Sequence, residues 1–497
     1  MDTPQLIALR VLMHQKNIGA VIIPTTDPHG SEYIAPYWQV QRFITGFTGS
    51  AGTVVITGDK GGLWTDSRYF LQGEEELAGS SVVLMKDGIP STPTIAQWLG
   101  QELQSGDVVA VDSQMFSVNS FLALKESLAT YGITLNMNLE HDLIAPLWHN
   151  RPPLQAEYIW RLNNNITGQN TTTKLVRVRK AMLAGGVDAL LLTALDDIAW
   201  LMNIRGNDIA CNPVVISYAV IYSDKAILFM DRHKLKRSTF APLQAHGITV
   251  ADYGNIFTHL QQFDKDKKIG IDFSTANYAL YQILADRACV IPVRSPVGAM
   301  KGVKNSVELA GFRKAMIKDG VALVRFFIRL EKGLKKRTVT ELSASRMLLE
   351  SRAEQPGFVS ESFETIAAYG PHGAIVHYAP TEQSDVRLER KGLFLLDSGG
   401  HYRDGTTDIT RTVALGKVFL RQRQDYTLVL KGHIALSQAR FPQGTRGTQL
   451  DVLARQFLWH NALQFGHGTG HGVGHCLCVH EGLHSIRMQE NPTVLQP

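Results

Sequence analysis

The chain has 497 residues, 44% of them hydrophobic and 19% charged. That is the composition of an ordinary globular protein with room for about three domains. Its 50 basic and 45 acidic residues leave a net charge of only +5, and apart from Lys335-Lys336-Arg337 they are scattered, so charge makes no case for a nucleic-acid partner.

Four irregularly spaced cysteines, Cys211, Cys289, Cys476 and Cys478, do not read as a disulfide framework or as a zinc knuckle. No run approaches 18 consecutive apolar residues, so no membrane span is expected. The start, Met1-Asp2-Thr3-Pro4, lacks the basic and apolar segments of a signal peptide. The expectation is a cytoplasmic protein.

Along the chain, one pattern occurs twice. Gln5 to Lys16 has helical periodicity and leads into the apolar run Gly19 to Pro24; Leu175 to Leu183 leads in the same way into Val187 to Thr193. Each is followed by a strand, turn and strand, Gly52 to Trp64 and Val214 to Phe229, and then by a helix and a short strand ending in Asp112 or Asp272. The spacing predicts two related α/β domains in tandem, residues 1–150 and 151–300, separated by a stretch containing Pro146, Pro152 and Pro153.

From residue 301 to 497 the pattern changes to α+β. Asn305 and Glu308 start a long amphipathic helix with Leu309, Phe312, Met316, Val321, Val324 and Phe327 on its apolar spacing, stopped by Gly333. Thr338 with Glu341 caps a second helix. Strands are expected over Phe363 to Tyr369, Gly392 to Leu396 and Thr406 to Leu415, and a helix near Gln449 to Leu463.

Two motifs in this last part carry chemistry. Asp397 ends an apolar strand, and Asp408 follows on a Thr-rich strand after Asp404-Gly405-Thr406-Thr407. A hairpin that brings two carboxylates together needs a cation or a shared proton between them. Hard oxygen ligands suit a divalent ion such as manganese, and two ions about 3.5–4 Å apart suit hydrolysis. Two turn aspartates that merely cap a hairpin give the same spacing. The second motif is Phe465-Gly466-His467-Gly468-Thr469-Gly470-His471-Gly472-Val473-Gly474-His475. Its glycines argue against a helix and allow the backbone to bend around an ion or substrate; a flexible loop is the alternative. His377, on an apolar run, and His480, in His480-Glu481-Gly482, are further histidines whose simplest reading, taken singly, is a satisfied core residue.

In combination these motifs resemble aminopeptidase P, the Xaa-Pro aminopeptidase family of "pita-bread" metallopeptidases, over essentially the whole chain. The resemblance is carried by Ser31 to Pro36, Gly46 to Thr53, Trp64 to Phe70, Asp197 to Gly206, His377-Tyr378-Ala379-Pro380, the paired aspartates, the Gly/His passage and His480-Glu481-Gly482. It implies two creatinase-like domains ahead of a pita-bread catalytic domain, and release of an N-terminal residue that precedes proline. It implies two divalent ions, expected to be manganese, with Asp397, Asp408 and His471 as ligands. It also implies that His377 and His480 donate hydrogen bonds to substrate and intermediate, that His467 helps form the proline pocket, that Arg68 reaches substrate, and that the protein is a homodimer.

In the family, two Glu ligands follow in stretches that have no counterpart up to Pro497, and neither Glu481 nor Glu490 has the matching context. The expectation is a truncated catalytic domain that binds metal poorly and turns over slowly. A prolidase-type dipeptidase is the nearest alternative in chemistry. A creatinase-like enzyme without metals and a non-catalytic binding protein of the same fold are the others; the retained Asp and His residues weigh against both.

Overall fold

The structure, a computed structural model, describes residues 1–496. The chain divides into two compact units. One comprises residues 1–161, 171–210 and 214–296; the other comprises 162–170, 211–213 and the chain from 297 onward.

The first unit is built on two six-stranded sheets. In the first, β1 (Ala20–Pro24) lies between β2 (Thr53–Thr57) and β5 (Val108–Ala110); β3 (Gly61–Thr65) and β4 (Val82–Lys86) extend one side and β6 (Thr134–Asn136) the other. The order is β4-β3-β2-β1-β5-β6. The second sheet consists of β7 (Ala189–Leu192), β8 (Ser217–Tyr222), β9 (Ala226–Met230), β10 (Ile248–Ala251), β11 (Lys268–Ile271) and β12 (Cys289–Pro292), in the order β10-β9-β8-β7-β11-β12.

The two topologies coincide. The second strand pairs antiparallel with the first in each sheet, and the fifth lies parallel on its other side. The tandem repeat expected from the sequence is therefore a repeat of strand order as well as of composition.

Both central strands are apolar on both faces, as a strand covered by helices on each side requires. Val21 and Ile23 pack with Leu6, Leu9 and Met13 of helix α1 (Pro4–Gln15), while Ala20 and Ile22 face a second cluster around Trp98, Leu99 and Phe121. The repeats are fastened by specific contacts: Asn277 donates to the Pro28 carbonyl at 2.8 Å, and Phe121 stacks on Tyr278 with centroids 3.7 Å apart.

The longest helix of the second unit is α2 (Ser306–Lys336), started by the expected Asn305/Glu308 capping box. Its inner face matches the expected one only in part: Phe312 and Phe327 are half-buried, and Phe327 packs on the core. Leu309, Met316, Val321 and Val324 are exposed, and the buried residues are Glu308, Gly311, Ala315, Asp319, Ala322, Leu323, Phe326, Leu330 and Leu334. The N-terminal half of the helix buries small and acidic residues because backbone comes very close there: a Cβ on Gly311 would lie 2.1 Å from the Asp404 carbonyl oxygen.

Gly333 does not stop this helix. It lies inside, against Val339, and the helix ends at Arg337 in the left-handed conformation, φ 57°. The next helix, α3 (Glu341–Ala353), is capped by Thr340 with Ser343 rather than by Thr338. Glu341 is instead buried, with its carboxylate turned to other work.

The strands that follow are β13 (Phe358–Glu361), β14 (Ile366–Tyr369), β15 (Leu393–Ser398), β16 (Gly400–Tyr402), β17 (Gly405–Thr406) and β18 (Ile409–Ala414). They form two three-stranded sheets, β14-β15-β18 and β13-β16-β17. Helix α4 (Leu420–Ser437) carries no apolar stripe for the sequence pattern to report, since its one buried residue is Gly432. Gly432 lets it pack on α5 (Gly447–Trp459), where any Cβ would lie 2.1 Å from the Ala454 carbonyl oxygen. The Gly/His passage is not helical, as expected; it contains β19 (Gly470–Gly472), paired with β20 (Glu481–Ile486).

Candidate metal centre

The paired aspartates are brought together by register. Strands β15 and β18 run antiparallel, with Asp397 opposite Thr410 and Ser398 opposite Ile409. This sets Asp408, one residue before β18, beside the end of β15. Asp397 lies on the half-buried side of the strand, with Leu393 and Leu395, while Phe394 and Leu396 on the other side are core.

Burial pushes the Asp397 carboxyl up to about 6; a hydrogen bond from Thr410 lowers it, and the neighbouring Asp408 carboxylate adds to the rise. Asp397 Oδ1 is buried with no hydrogen-bond partner among the described residues. An acceptor left bare in this way costs stability unless something positive meets it.

His471 comes from β19. Its Nδ1 donates to the Gly472 carbonyl at 2.7 Å, since a carbonyl can only accept. The other nitrogen, Nε2, then lies 3.2 Å from Asp408 Oδ2. A ring whose proton is on Nδ1 presents a lone pair to that carboxylate, and two acceptors at this distance need a proton or a cation between them. His480 is set almost perpendicular to His471, with centroids 4.5 Å apart. One ligand atom from each of Asp408, His471 and His480 fits within 4.8 Å of the others. The donor set of carboxylate and imidazole, and the bare oxygen of Asp397 beside it, fit a divalent ion.

Asp397, expected as a ligand, lies outside that group of ligand atoms, whereas His480, expected as a donor to substrate, lies within it; the remaining sequence-predicted residues also lie outside. His377 is half-buried in a turn after Gly370–Ala374, not on a strand. His467 is exposed, its Nδ1 bonded to the Gly468 carbonyl at 2.7 Å and its ring 4.8 Å from that of Phe465. Arg68 belongs to the first unit and is held by a bidentate pair with Asp66 at 2.8 and 2.7 Å, which raises its already high pKa.

Composition alone does not reveal the acids that support each segment. Glu341 accepts from the Tyr369 amide at 2.6 Å and the Tyr378 hydroxyl at 2.8 Å, holding the segment that contains His377. Asp451 pairs with Arg455 at 2.5 Å, and Arg455 donates to the Phe465 and His467 carbonyls at 2.5 and 2.7 Å. Glu481, next to His480, pairs with Lys304. For Glu341 and Asp451 the readable signal is a charged residue on a helix face of mostly small or apolar residues; Glu481, on β20, has no such signal.

Comparison with known proteins agrees over the whole length. Family models match as Creatinase/Prolidase N-terminal domains at residues 5–135 and 150–308 and as Metallopeptidase family M24 at 310–497. The probable Xaa-Pro aminopeptidase P of Botryotinia fuckeliana is 40% identical over all of this chain and 77% of its own length. That of Neurospora crassa is 40% identical over 97% of this chain and 72% of its own.

The chain belongs to metallopeptidase family M24. Its fold is two tandem creatinase-like α/β domains followed by a pita-bread domain, and it superposes on the X-prolyl aminopeptidase of Caenorhabditis elegans with a TM-score of 0.94. That pair is 35% identical, with 99% of this chain and 82% of the other covered, and the nematode protein is described as a cytosolic enzyme with a di-nuclear active site. Asp397, Asp408, His471, His480, His377 and His467 all fall in the M24 portion, whereas Arg68 falls in the first N-terminal match.

Proposed function

We propose that the protein is a metal-dependent Xaa-Pro aminopeptidase, releasing the N-terminal residue of peptides whose second residue is proline. The observation that carries this reading is the meeting of His471 Nε2 and Asp408 Oδ2 at 3.2 Å, on a chain similar from end to end to aminopeptidases of that name. Asp397, Asp408 and His471 would hold two divalent ions, and manganese is the ion we propose. Such ions supply a hydroxide at neutral pH and polarise the scissile carbonyl.

The chain's own residues do the rest. The Gly472 carbonyl keeps the His471 proton on Nδ1, which leaves Nε2 as the ligand atom. His480 and His377 donate hydrogen bonds to the substrate carbonyl as charge develops on it. His467 helps shape the proline pocket, and Arg68, kept charged by Asp66, orients substrate. The division into domains 1–150, 151–300 and 301–497, a cytoplasmic location, homodimers, and the absence of a nucleic-acid partner belong to the same proposal. No helix among the described residues is long and apolar enough to cross a membrane.

The test compares a manganese-supplemented tripeptide bearing proline second, its alanine counterpart, and an Xaa-Pro dipeptide. Release from the proline tripeptide alone, lowered at least about 100-fold in kcat by His480→Ala, is expected from the size of such hydrogen bonds. Cleavage of only the dipeptide would establish the prolidase reading instead. No cleavage by a chain shown to bind manganese would overturn both.

A further inference from the structure

Helix α2 sends Asp319 into the protein interior, where it meets Arg352 of α3. Both side chains are fully buried, with Nε to Oδ1 at 2.7 Å and Nη2 to Oδ2 at 3.0 Å. The pair reaches two residues that each adjoin one of the paired aspartates. Arg352 Nη2 donates to the Ser398 hydroxyl at 3.0 Å, and Ser398 follows Asp397. The Thr407 hydroxyl donates to Asp319 Oδ2 at 2.9 Å, and Thr407 precedes Asp408. Tyr402, between them in the chain, donates to Asp319 Oδ1 at 2.9 Å.

The Thr407 hydroxyl also accepts from the Gly400 amide at 2.9 Å. One oxygen thus links the helix pair to the connection between the two strands. From the other side, Ser362 donates to the Thr407 carbonyl at 2.9 Å. Gly399 allows this closeness, since a Cβ there would lie 2.1 Å from both Ser362 Oγ and the Thr407 carbonyl oxygen. Stability alone does not account for such an arrangement. A buried ion pair is often no more stabilising than apolar residues of the same volume, and Arg352 Nη1 is buried without a partner among the described residues.

We propose that Asp319 and Arg352 are positioning residues: acting through Thr407 and Ser398, they fix the separation of the Asp397 and Asp408 carboxylates and so set the affinity of the centre for its ions. The proposal rests on the reading of those two aspartates as metal ligands.

The test uses Thr407→Val, which keeps the shape and removes the hydroxyl, and Thr407→Ser, which keeps the hydroxyl. Cobalt(II) binding is followed by its visible absorption, together with the crystal structures of the metal-free chains. Thr407→Val should bind cobalt about 10- to 100-fold more weakly, the usual effect of losing a residue that orients a ligand. It should show changed carboxylate separation and lower kcat more than it raises KM, while Thr407→Ser restores all three. Equal cobalt affinity in Thr407→Val and the unmodified chain, or equal impairment in the Val and Ser variants, overturns the proposal. If the unmodified chain binds no cobalt, the metal reading falls. The positioning claim is then decided by the crystal structures, and unchanged carboxylate separation in Thr407→Val overturns it.

Discussion

Both units have an apolar core and both bury an ion pair, Lys234 with Asp208 in the first and Arg352 with Asp319 in the second, but the sheets of the first and the candidate centre of the second are fixed by different interactions. In the first, the central strands bury apolar side chains on both faces, with Val21, Ile23, Val54 and Ile56 in one cluster and Ala20, Ile22 and Val55 in another. In the second, the segments that carry the candidate centre are each tied to a buried acid: Asp319 for the aspartate hairpin, Asp451 for the Gly/His passage, Glu341 for the His377 segment and Glu481 beside His480. Apolar burial is non-directional and tolerates small shifts. A charge pair with full hydrogen bonding fixes position and is costly to break. The scaffold is thus built from the forgiving interaction and the centre from the exacting one.

The sharpest way to break that contrast is Arg455→Met. Arg455 is 1% exposed, and its loss would leave Asp451 Oδ2 and the Phe465 and His467 carbonyls without their Arg455 donor, with only Thr469 still bonded to Asp451. Stranding a buried charge costs about 3–5 kcal/mol. A matching fall in the thermal midpoint is expected, together with faster amide hydrogen exchange over residues 465–469. A variant as stable as the unmodified chain would show that the pair does not hold this passage.

The complementary change is Ile56→Ala, at a fully buried position of β2. Deleting those methyl groups costs about 2–4 kcal/mol through lost burial and the cavity left behind. Stability should fall, yet the folded chain should keep its cobalt affinity, because no hydrogen bond to the centre is touched. Weaker cobalt binding in the folded variant would mean that the two kinds of packing are not separable.

The same contrast explains what could be read from the sequence. The apolar runs of both sheets, their repetition and the strands around Asp397 were legible because periodicity reports burial of apolar faces. The spacing of Asp397 and Asp408 is one that two capping turn aspartates would share, and it is the resemblance to aminopeptidase P that singles out His471 among its neighbouring histidines. In helix α2 the apolar spacing misses part of the inner face, because Leu309, Met316, Val321 and Val324 point outward while Gly311, Ala315 and Asp319 point inward. Apolarity misleads where backbone approaches closely and a buried acid takes the central position. Helix α4, with only Gly432 buried, gave periodicity nothing to report.

The last prediction tests a charge placed inside the apolar unit. Asp112, 8% exposed, accepts from the Gln114 amide at 2.9 Å. Burial pushes its carboxyl up to about 6 from the usual 3.8; the Gln114 bond opposes this, Glu140 adds to it, and Arg151 reduces it. The folded form therefore holds a proton between about pH 4 and 6 that the unfolded chain has released, so stability is lost as pH rises through that window. A two-unit shift corresponds to about 3 kcal/mol at most.

Asn at this position keeps an oxygen for the Gln114 amide but carries no charge. Asp112→Asn should therefore gain about 1–2 kcal/mol at pH 7 and little at pH 4, read as the difference in thermal midpoint between variant and unmodified chain at each pH. A difference independent of pH would show that the carboxyl is not kept protonated by burial. A loss at pH 7 would show that the Asp112 carboxylate is itself a charged anchor, as Asp208 is for Lys234 in the same unit.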